Sequence, residues 1–336
     1  MSQNNKIGVR TYNFLIEDNS DLIRVDKFLI NNIDDISRAK IQKIALNNLI
    51  LVNNNPVKSN YKLKLNDFVF IKILPEKNNF NIIPQNIPLN IQYEDDDILI
   101  INKNAGLVVH PGSGNYDGTL VNALIYHYKN LPLSSSEFNR PGIVHRIDKN
   151  TSGLLVVAKN ENSMRSLSKQ FLERKVERKY IALVWGDVEN DGSIEGNIGR
   201  HYKNRKLMNV YPDGDFGKYA KTNYKVLQRF GYVTLLECKL ETGRTHQIRT
   251  HFSYIKHPLF NDLEYGGNKI VKGTTFSKYK QFINNCFKII QRQSLHAKTL
   301  SFFHPVKKEK ISFSSDLPDD MSEVILKWKN YTSNRI

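Results

Sequence analysis

With two cysteines in 336 residues, Cys238 and Cys286, the chain has no paired framework for disulfides and no ligand spacing for a structural metal. A reducing cytosol fits that usage best. Long apolar runs are missing as well. The opening "MSQNNKIGVRTYNFLIEDN" lacks the uninterrupted apolar stretch of a signal peptide, and no later window approaches the roughly 18 apolar residues of a membrane span. The expectation is a cytoplasmic protein, neither exported nor inserted. Acidic charge is the third scarcity: 33 Asp and Glu face 49 Lys and Arg, for a net charge of +16. An excess of that size raises the potential seen by polyanions, so nucleic acid is the first partner class to test, with a merely soluble basic chain as the alternative. No internal repeat is present, and the Gly pattern of a phosphate-cradling loop after a first strand is absent, which argues against a dinucleotide fold.

What is there suffices for a core, because 40% of residues are hydrophobic and 10% aromatic. The length favours one large domain with a smaller companion. Residues 22 to 33 and 37 to 49 read as short amphipathic helices, the second with Ser37 as N-cap and Ile41, Ile44, Ala45 and Leu49 on one face. Its other face carries Arg38, Lys40 and Lys43, either an RNA contact or a solvated helix face. "LILVNNNPV" and "KLKLNDFVFIKIL" follow as two β-like runs around a turn. These elements form a small unit over residues 22–74. The Pro- and Asn-rich stretch 75–90 reads as a linker, and residues 91–330 as a larger domain. Within it "DILIINK", "GLLVVAK", "YIALVWG" and "VTLLECKLE" read as strands, and "TLVNALIYHY", "SMRSLSKQFLE" and "PDDMSEVILKWKNY" as helices. The order is not a strict βαβ alternation, so the expected class is α+β with a mixed, largely antiparallel central sheet.

One stretch, "GIVHRIDKNTSGLLVVAKN" (142–160), sets His145, Arg146 and Asp148 hard against a turn and an apolar run. If it is extended, Arg146 and Asp148 share a face and His145 points the other way. A second stretch, "LETGRTHQIRTHFSYIKHPLFND" (240–262), packs Arg244, His246, Arg249, His251 and His257 among Ile248, Phe252 and Ile255 at helical spacing. Such charges must be partnered or solvated, and the two stretches are candidates to neutralise each other. His246 and His251 lack the spacing and companions of a zinc site. Ser152 has no nucleophile-elbow context and reads as a turn residue.

"HRIDKNTSGLLVVAK", then "RKYIALVWG", then "ETGRTHQIRTHFSYIKHPLFNDLEYGG" resemble, in order, the three signature motifs of the large family of RNA pseudouridine synthases that modify ribosomal and transfer RNA. The preceding helix, helix, hairpin unit is similar to the alpha-L RNA-binding domain of a small-subunit ribosomal protein and several RNA enzymes. The resemblance spans about residues 22 to 320. It implies that Asp148 is the catalytic carboxylate, that Arg249 pairs with it and that Tyr180 packs on the target base. It also implies that Arg146 enters the space vacated by the flipped uridine, with His145 and Arg244 beside it as substrate-binding residues. Two departures stand out: Asn104 follows Lys103 where the family usually has Pro, and Thr250 replaces an aliphatic residue.

The implied reaction breaks the uridine N1–C1′ bond, rotates the uracil and joins C5 to C1′. It requires an ionised carboxylate in a closed pocket and no cofactor. An Asp titrates near 3.9 and a neighbouring guanidinium keeps it charged. Extruding a stacked base costs a few kcal/mol, which an inserted side chain partly recovers, and an aromatic platform adds roughly 1 to 3 kcal/mol of stacking. Within the family, the details of residues 88–160 look most like members acting on 23S ribosomal RNA at the stem-loop that reaches the subunit interface, with other large-subunit sites as the alternative. The stretch "RHYKNRKLMNVYPDGDFGKYAKT" (200–222) interleaves cations with Tyr and suits either an RNA-facing loop or a basic hairpin. Nothing suggests an obligate protein partner, and a monomer is expected. A non-catalytic ribosome-assembly protein would lack Asp148, Tyr180 or Arg249. A glycoside hydrolase would want a second poised carboxylate.

Overall fold

The computed structural model describes residues 9–17, 23–33, 36, 38–74, 82–112, 114–128, 130–132 and 141–333. The chain divides into two compact units, residues 1–79 and 80–336. In the first, β1 (Arg10–Leu15), α1 (Val25–Asn32), α2 (Arg38–Leu46), β2 (Ile50–Val52), β3 (Asn55–Pro56) and β4 (Phe68–Ile73) build an antiparallel sheet of order β1-β4-β2-β3 under two helices. Val25 and Leu29 of α1 and Ile41, Ile44 and Ala45 of α2 bury their shared faces against Ile50, Val69 and Ile71 of the sheet. The run "LILVNNNPV" is itself a hairpin, not a single strand. Asn53 and Asn54 both take left-handed φ (51° and 64°), the twist a two-residue hairpin turn requires and Asn tolerates. Strand β1 falls in a segment that the sequence pattern had not marked, and Ser37 lies outside the described residues.

The second unit contains β5 (Ile91–Glu94), β6 (Ile98–Lys103), α3 (Leu120–His127), β7 (Ser152–Ala158), α4 (Glu161–Leu172), β8 (Glu177–Trp185), β9 (Gly192–Arg200), β10 (Met208–Tyr211), β11 (Lys218–Arg229), β12 (Val233–Leu240), α5 (Gln247–Tyr254), α6 (Ser277–Ile289), β13 (Leu295–Phe303), β14 (Lys310–Ser314) and α7 (Asp319–Ser333). The strands form one mixed sheet of order β10-β9-β11-β12-β8-β13-β7-β6-β5, with β14 added on β13. The pairing of β7 with β13 is parallel and the others are antiparallel. The α+β class with a largely antiparallel sheet is therefore as the sequence pattern implies.

Burial on both faces explains the apolar runs. In β6 and β7, Ile98, Ile100, Leu154 and Val156 pack with Met164 and Leu167 of α4, while Leu99, Ile101, Leu155 and Val157 pack with Leu120, Val121 and Leu124 of α3. In β8, Ala182 and Val184 meet Ile248 and Phe252 of α5, and Ile181, Leu183 and Trp185 meet Tyr279, Ile283 and Trp328 of α6 and α7. A strand covered on both sides carries no polar alternation. Helices α3 and α4 start at side-chain caps, Thr119 accepting from the Asn122 amide and Asn160 from that of Ser163. No described helix is long and apolar enough to cross a membrane.

Candidate active site

Residues 144–148 belong to neither helix nor strand, between a bridge of Ile143 to Val157 and the start of β7. His145, Arg146 and Asp148 all line one cavity of about 510 Å³. Its size is typical of ligand pockets. Four donors fix the peptides beside Asp148. The Thr151 amide donates to the Asp148 carbonyl at 3.1 Å, the Gly106 amide and Lys103 Nζ to that of Lys149 at 2.9 and 3.0 Å, and Arg292 Nη1 to that of Asn150 at 3.1 Å. Lys103 is itself buried and also donates to the Asn104 and Leu107 carbonyls, both at 2.8 Å. Burial pulls its pKa down to about 7, with Asp148 opposing and Arg292 reinforcing that shift. Asn104, the departure from the family pattern, contributes its carbonyl to this ammonium cradle.

Arg249, on the first turn of α5, is nearly buried and faces three acids. It donates from Nε and Nη2 to Asp262 at 2.7 and 2.8 Å, from Nη2 to Glu264 at 2.6 Å, and from Nη1 to Asp148 at 3.4 Å. Burial opposes its charge, but Asp262, Asp148 and Glu264 more than offset this and hold the guanidinium above its ordinary pKa. The expected Arg249–Asp148 pair is thus the longest of three contacts, and the main partner is the wholly buried Asp262. Neither Asp262 nor Glu264 stood out in the sequence, yet they are the next acids after a segment dense in Arg and His, and charge balance points to them. Tyr265 packs against Arg249, its ring 4.9 Å from the guanidinium. Its hydroxyl accepts from the Met208 amide and meets His246 Nδ1, both at 2.9 Å.

The turn into α5 is built on Gln247. Its Oε1 accepts from the Arg244 amide at 2.9 Å and the Thr242 hydroxyl at 2.8 Å, and its Nε2 donates to the Lys221 carbonyl and Thr222 hydroxyl of β11 at 3.0 Å. His246, next to it, takes a left-handed φ of 53° and lines the cavity. Arg244 Nε donates to the Tyr219 carbonyl at 3.0 Å, which leaves its Nη groups for the pocket. Tyr180 lies on β8 opposite Cys238 of β12 and Ala297 of β13, and burial raises its pKa. His145 stacks on Phe171 with ring centroids 4.6 Å apart, and its Nε2 accepts from the Val156 amide at 3.0 Å. Burial and the nearby Arg178 lower its pKa to about 3, so the ring is neutral.

All six residues drawn from the motifs, His145, Arg146, Asp148, Tyr180, Arg244 and Arg249, line this one cavity. On the first unit, Lys43 is exposed on α2, whereas the side chains of Arg38 and Lys40 lie outside the described residues. Ser152 is no turn residue: it opens β7, buried, with its hydroxyl 2.9 Å from His296 Nδ1. The segment 200–222 forms the end of β9, all of β10 and the start of β11. Asp95, Asp97 and His304 bring three possible metal-ligand atoms together. Those atoms are already taken: Asp95 accepts from Tyr93, His304 and two backbone amides, and Asp97 Oδ1 from Asn160 and Ser163.

Residues 97–254 match the family model described as RNA pseudouridylate synthase. An RNA pseudouridine synthase of Chlorobaculum parvum is 43% identical over 91% of this chain and 94% of its own. The ribosomal large subunit pseudouridine synthase D of Buchnera aphidicola is 45% identical over 90% and 94%. Among solved structures, human RNA pseudouridylate synthase domain containing 1 aligns with a TM-score of 0.51 and 28% identity, covering 69% of this chain and 84% of its own. The three motifs, the sheet that carries them and relatives matching over nine-tenths of the sequence agree, and the chain belongs to the RNA pseudouridine synthase family, isomerases that act on RNA.

Proposed function

We propose that this enzyme converts uridines of 23S ribosomal RNA to pseudouridine in the stem-loop that reaches the subunit interface, with Asp148 as the catalytic carboxylate. The observation that carries the reading is the placement of Asp148 on the cavity wall, partly exposed, 3.4 Å from an Arg249 already anchored by two other acids. An arginine so anchored cannot swing away. It stays beside the carboxylate charge when RNA displaces water from the pocket. Attack at uracil C6, attack at ribose C1′ and stabilisation of a glycal-forming path all require that charge. The name of the Buchnera relative, a ribosomal large subunit pseudouridine synthase, supports the large ribosomal subunit as the source of substrate.

In this reading Tyr180 packs on the extruded base and the exposed Arg146 fills the gap left in the stack. His145, neutral and wedged on Phe171, shapes the pocket, and Arg244 offers donors at its rim. The first unit, with Arg38, Lys40 and Lys43 on α2, acts as an alpha-L-type RNA-binding domain and supplies salt-sensitive phosphate contacts. The protein works in the cytoplasm as a monomer without a cofactor.

Purified protein, wild type and Asp148→Asn, incubated with unmodified 23S ribosomal RNA and mapped by carbodiimide treatment and primer extension, tests this. Modification clustered in the subunit-interface stem-loop and absent with the variant is expected. Modification elsewhere overturns the target, and equal modification by Asp148→Asn overturns the role of the carboxylate.

A further inference from the structure

Arg178 stands two residues before Tyr180 on β8, and both side chains line the cavity. Along a strand, residues two apart share a face and lie roughly 7 Å apart. Unlike Arg249, Arg178 forms no ion pair with any described residue, and its Nε is buried without a hydrogen-bond partner. Its guanidinium carbon sits 5.6 Å from the Phe171 ring, against which His145 also stacks. On another side it lies against Gly243, where an added β-carbon would stand 2.6 Å from Nη1. Burial lowers its pKa, and only a coulombic contribution from Tyr180 opposes this. A guanidinium held against an aromatic ring and backbone, with no acid beside it, is a charge whose counterpart is missing. Such an arrangement is costly to keep unless an anion arrives.

The surroundings favour an anion as well. Arg146, Arg174 and Arg244 line the same cavity. Arg174 holds a left-handed φ of 57° just after the C-terminus of α4, a position where glycine is usual and any other residue is strained. Of the two acids that line it, Asp148 is engaged by Arg249 and Glu241 by Asn223 and Lys221.

We propose that Arg178 grips a phosphodiester next to the target uridine, in a fork that locks the backbone while Tyr180, one step along the same strand face, holds the base. Arg178 is then a positioning residue: it fixes the ribose so that C1′ stays within reach as the uracil rotates. A planar fork suits a phosphate better than a lysine ammonium does. The inference rests on RNA being the substrate, and its test separates the two.

The experiment uses full-length protein and a synthetic stem-loop carrying the uridine that the mapping identifies, either all-phosphodiester or with one neutral methylphosphonate at each flanking linkage in turn. Single-turnover rates and KM are measured for wild type, Arg178→Gln and Arg178→Lys. One methylphosphonate position is expected to slow wild type by about ten-fold or more. Arg178→Gln slows the unmodified RNA similarly, and that methylphosphonate costs it nothing further. If Arg178→Gln does not fold, Arg178→Lys serves, with a smaller penalty at the same linkage. Methylphosphonates that slow the variants as much as wild type overturn the subsite, as does an Arg178→Gln rate equal to wild type. Wild-type protein inactive on the all-phosphodiester RNA overturns the substrate reading instead.

Discussion

Replacing Asp262 by Asn keeps the shape of the side chain and removes one charge from beneath Arg249. The carboxylate is wholly buried and accepts four hydrogen bonds: Arg249 Nε at 2.7 Å, Arg249 Nη2 at 2.8 Å, and the Glu264 and Tyr265 amides at 3.0 and 3.2 Å. An amide can satisfy the backbone donors with its oxygen, but its NH2 then confronts a guanidinium N–H. Breaking a buried ion pair from one side costs about 3–5 kcal/mol, a large part of the 5–15 kcal/mol that ordinarily holds a domain. Glu264 provides the control. It makes an equally short 2.6 Å bond to the same arginine, but its side chain is 45% exposed, so Glu264→Gln should cost no more than about 1 kcal/mol. Urea unfolding followed by tryptophan fluorescence reads the right part of the molecule, because both tryptophans, Trp185 and Trp328, are buried in the second unit. The asparagine variant should also lose kcat more than it raises KM, since Arg249 is freed to turn onto Asp148. If Asp262→Asn shifts the unfolding midpoint no further than Glu264→Gln does, Asp262 is not the anchor of the site.

Three histidines make stability pH-dependent. Burial holds His251 and His296 near pKa 4, and burial with Arg178 holds His145 near 3, whereas an unfolded histidine titrates near 6.5. Their contribution to stability is therefore complete above pH 6.5 and falls as pH drops toward 4, by about 2 kcal/mol per histidine at pH 5. Urea midpoints measured between pH 7.5 and 5 should show this fall, and His296→Gln should flatten it by one proton; a flat profile for wild type contradicts it. At Gly153, φ is 114° and an added β-carbon would stand 2.3 Å from the Ala297 carbonyl. Gly153→Ala should thus part β7 from β13 and lower the melting temperature by several degrees in calorimetry, while an unchanged melt would mean that the parallel pairing contributes nothing.

Legibility in the sequence followed burial. Strands β6, β7 and β8 are covered on both faces, so "ILII", "LLVV" and "IALVW" announce themselves. Strand β11 does not: along "KYAKTNYKVLQR" only Ala220 and Thr222 are buried, and Lys, Asn and Gln on its outer face mask the strand. Helix α6 hides for a similar reason, since only Tyr279, Ile283 and Cys286 are fully buried along it. At the site, the motif residues converge as a set because local segments carry them. Asp262 and Arg178 escaped notice for opposite reasons: one is an acid whose partner lies thirteen residues upstream, the other a base with no acidic partner among the described residues.

The Asp148 loop rests on chain made much later. The Asn150 carbonyl is held by Arg292, and Ser152 by His296, 142 and 144 residues downstream. Arg292 is in turn clasped by Asp320 of α7 through bonds of 2.7 and 2.9 Å. At a translation rate of about 5–20 residues per second, the loop waits on the order of ten seconds for its support. A nascent chain can thus carry a finished first unit, and a complete set of signature motifs, while its carboxylate is still unmoored. Synthesis itself delays the enzyme's readiness until the last strand and helix have come home.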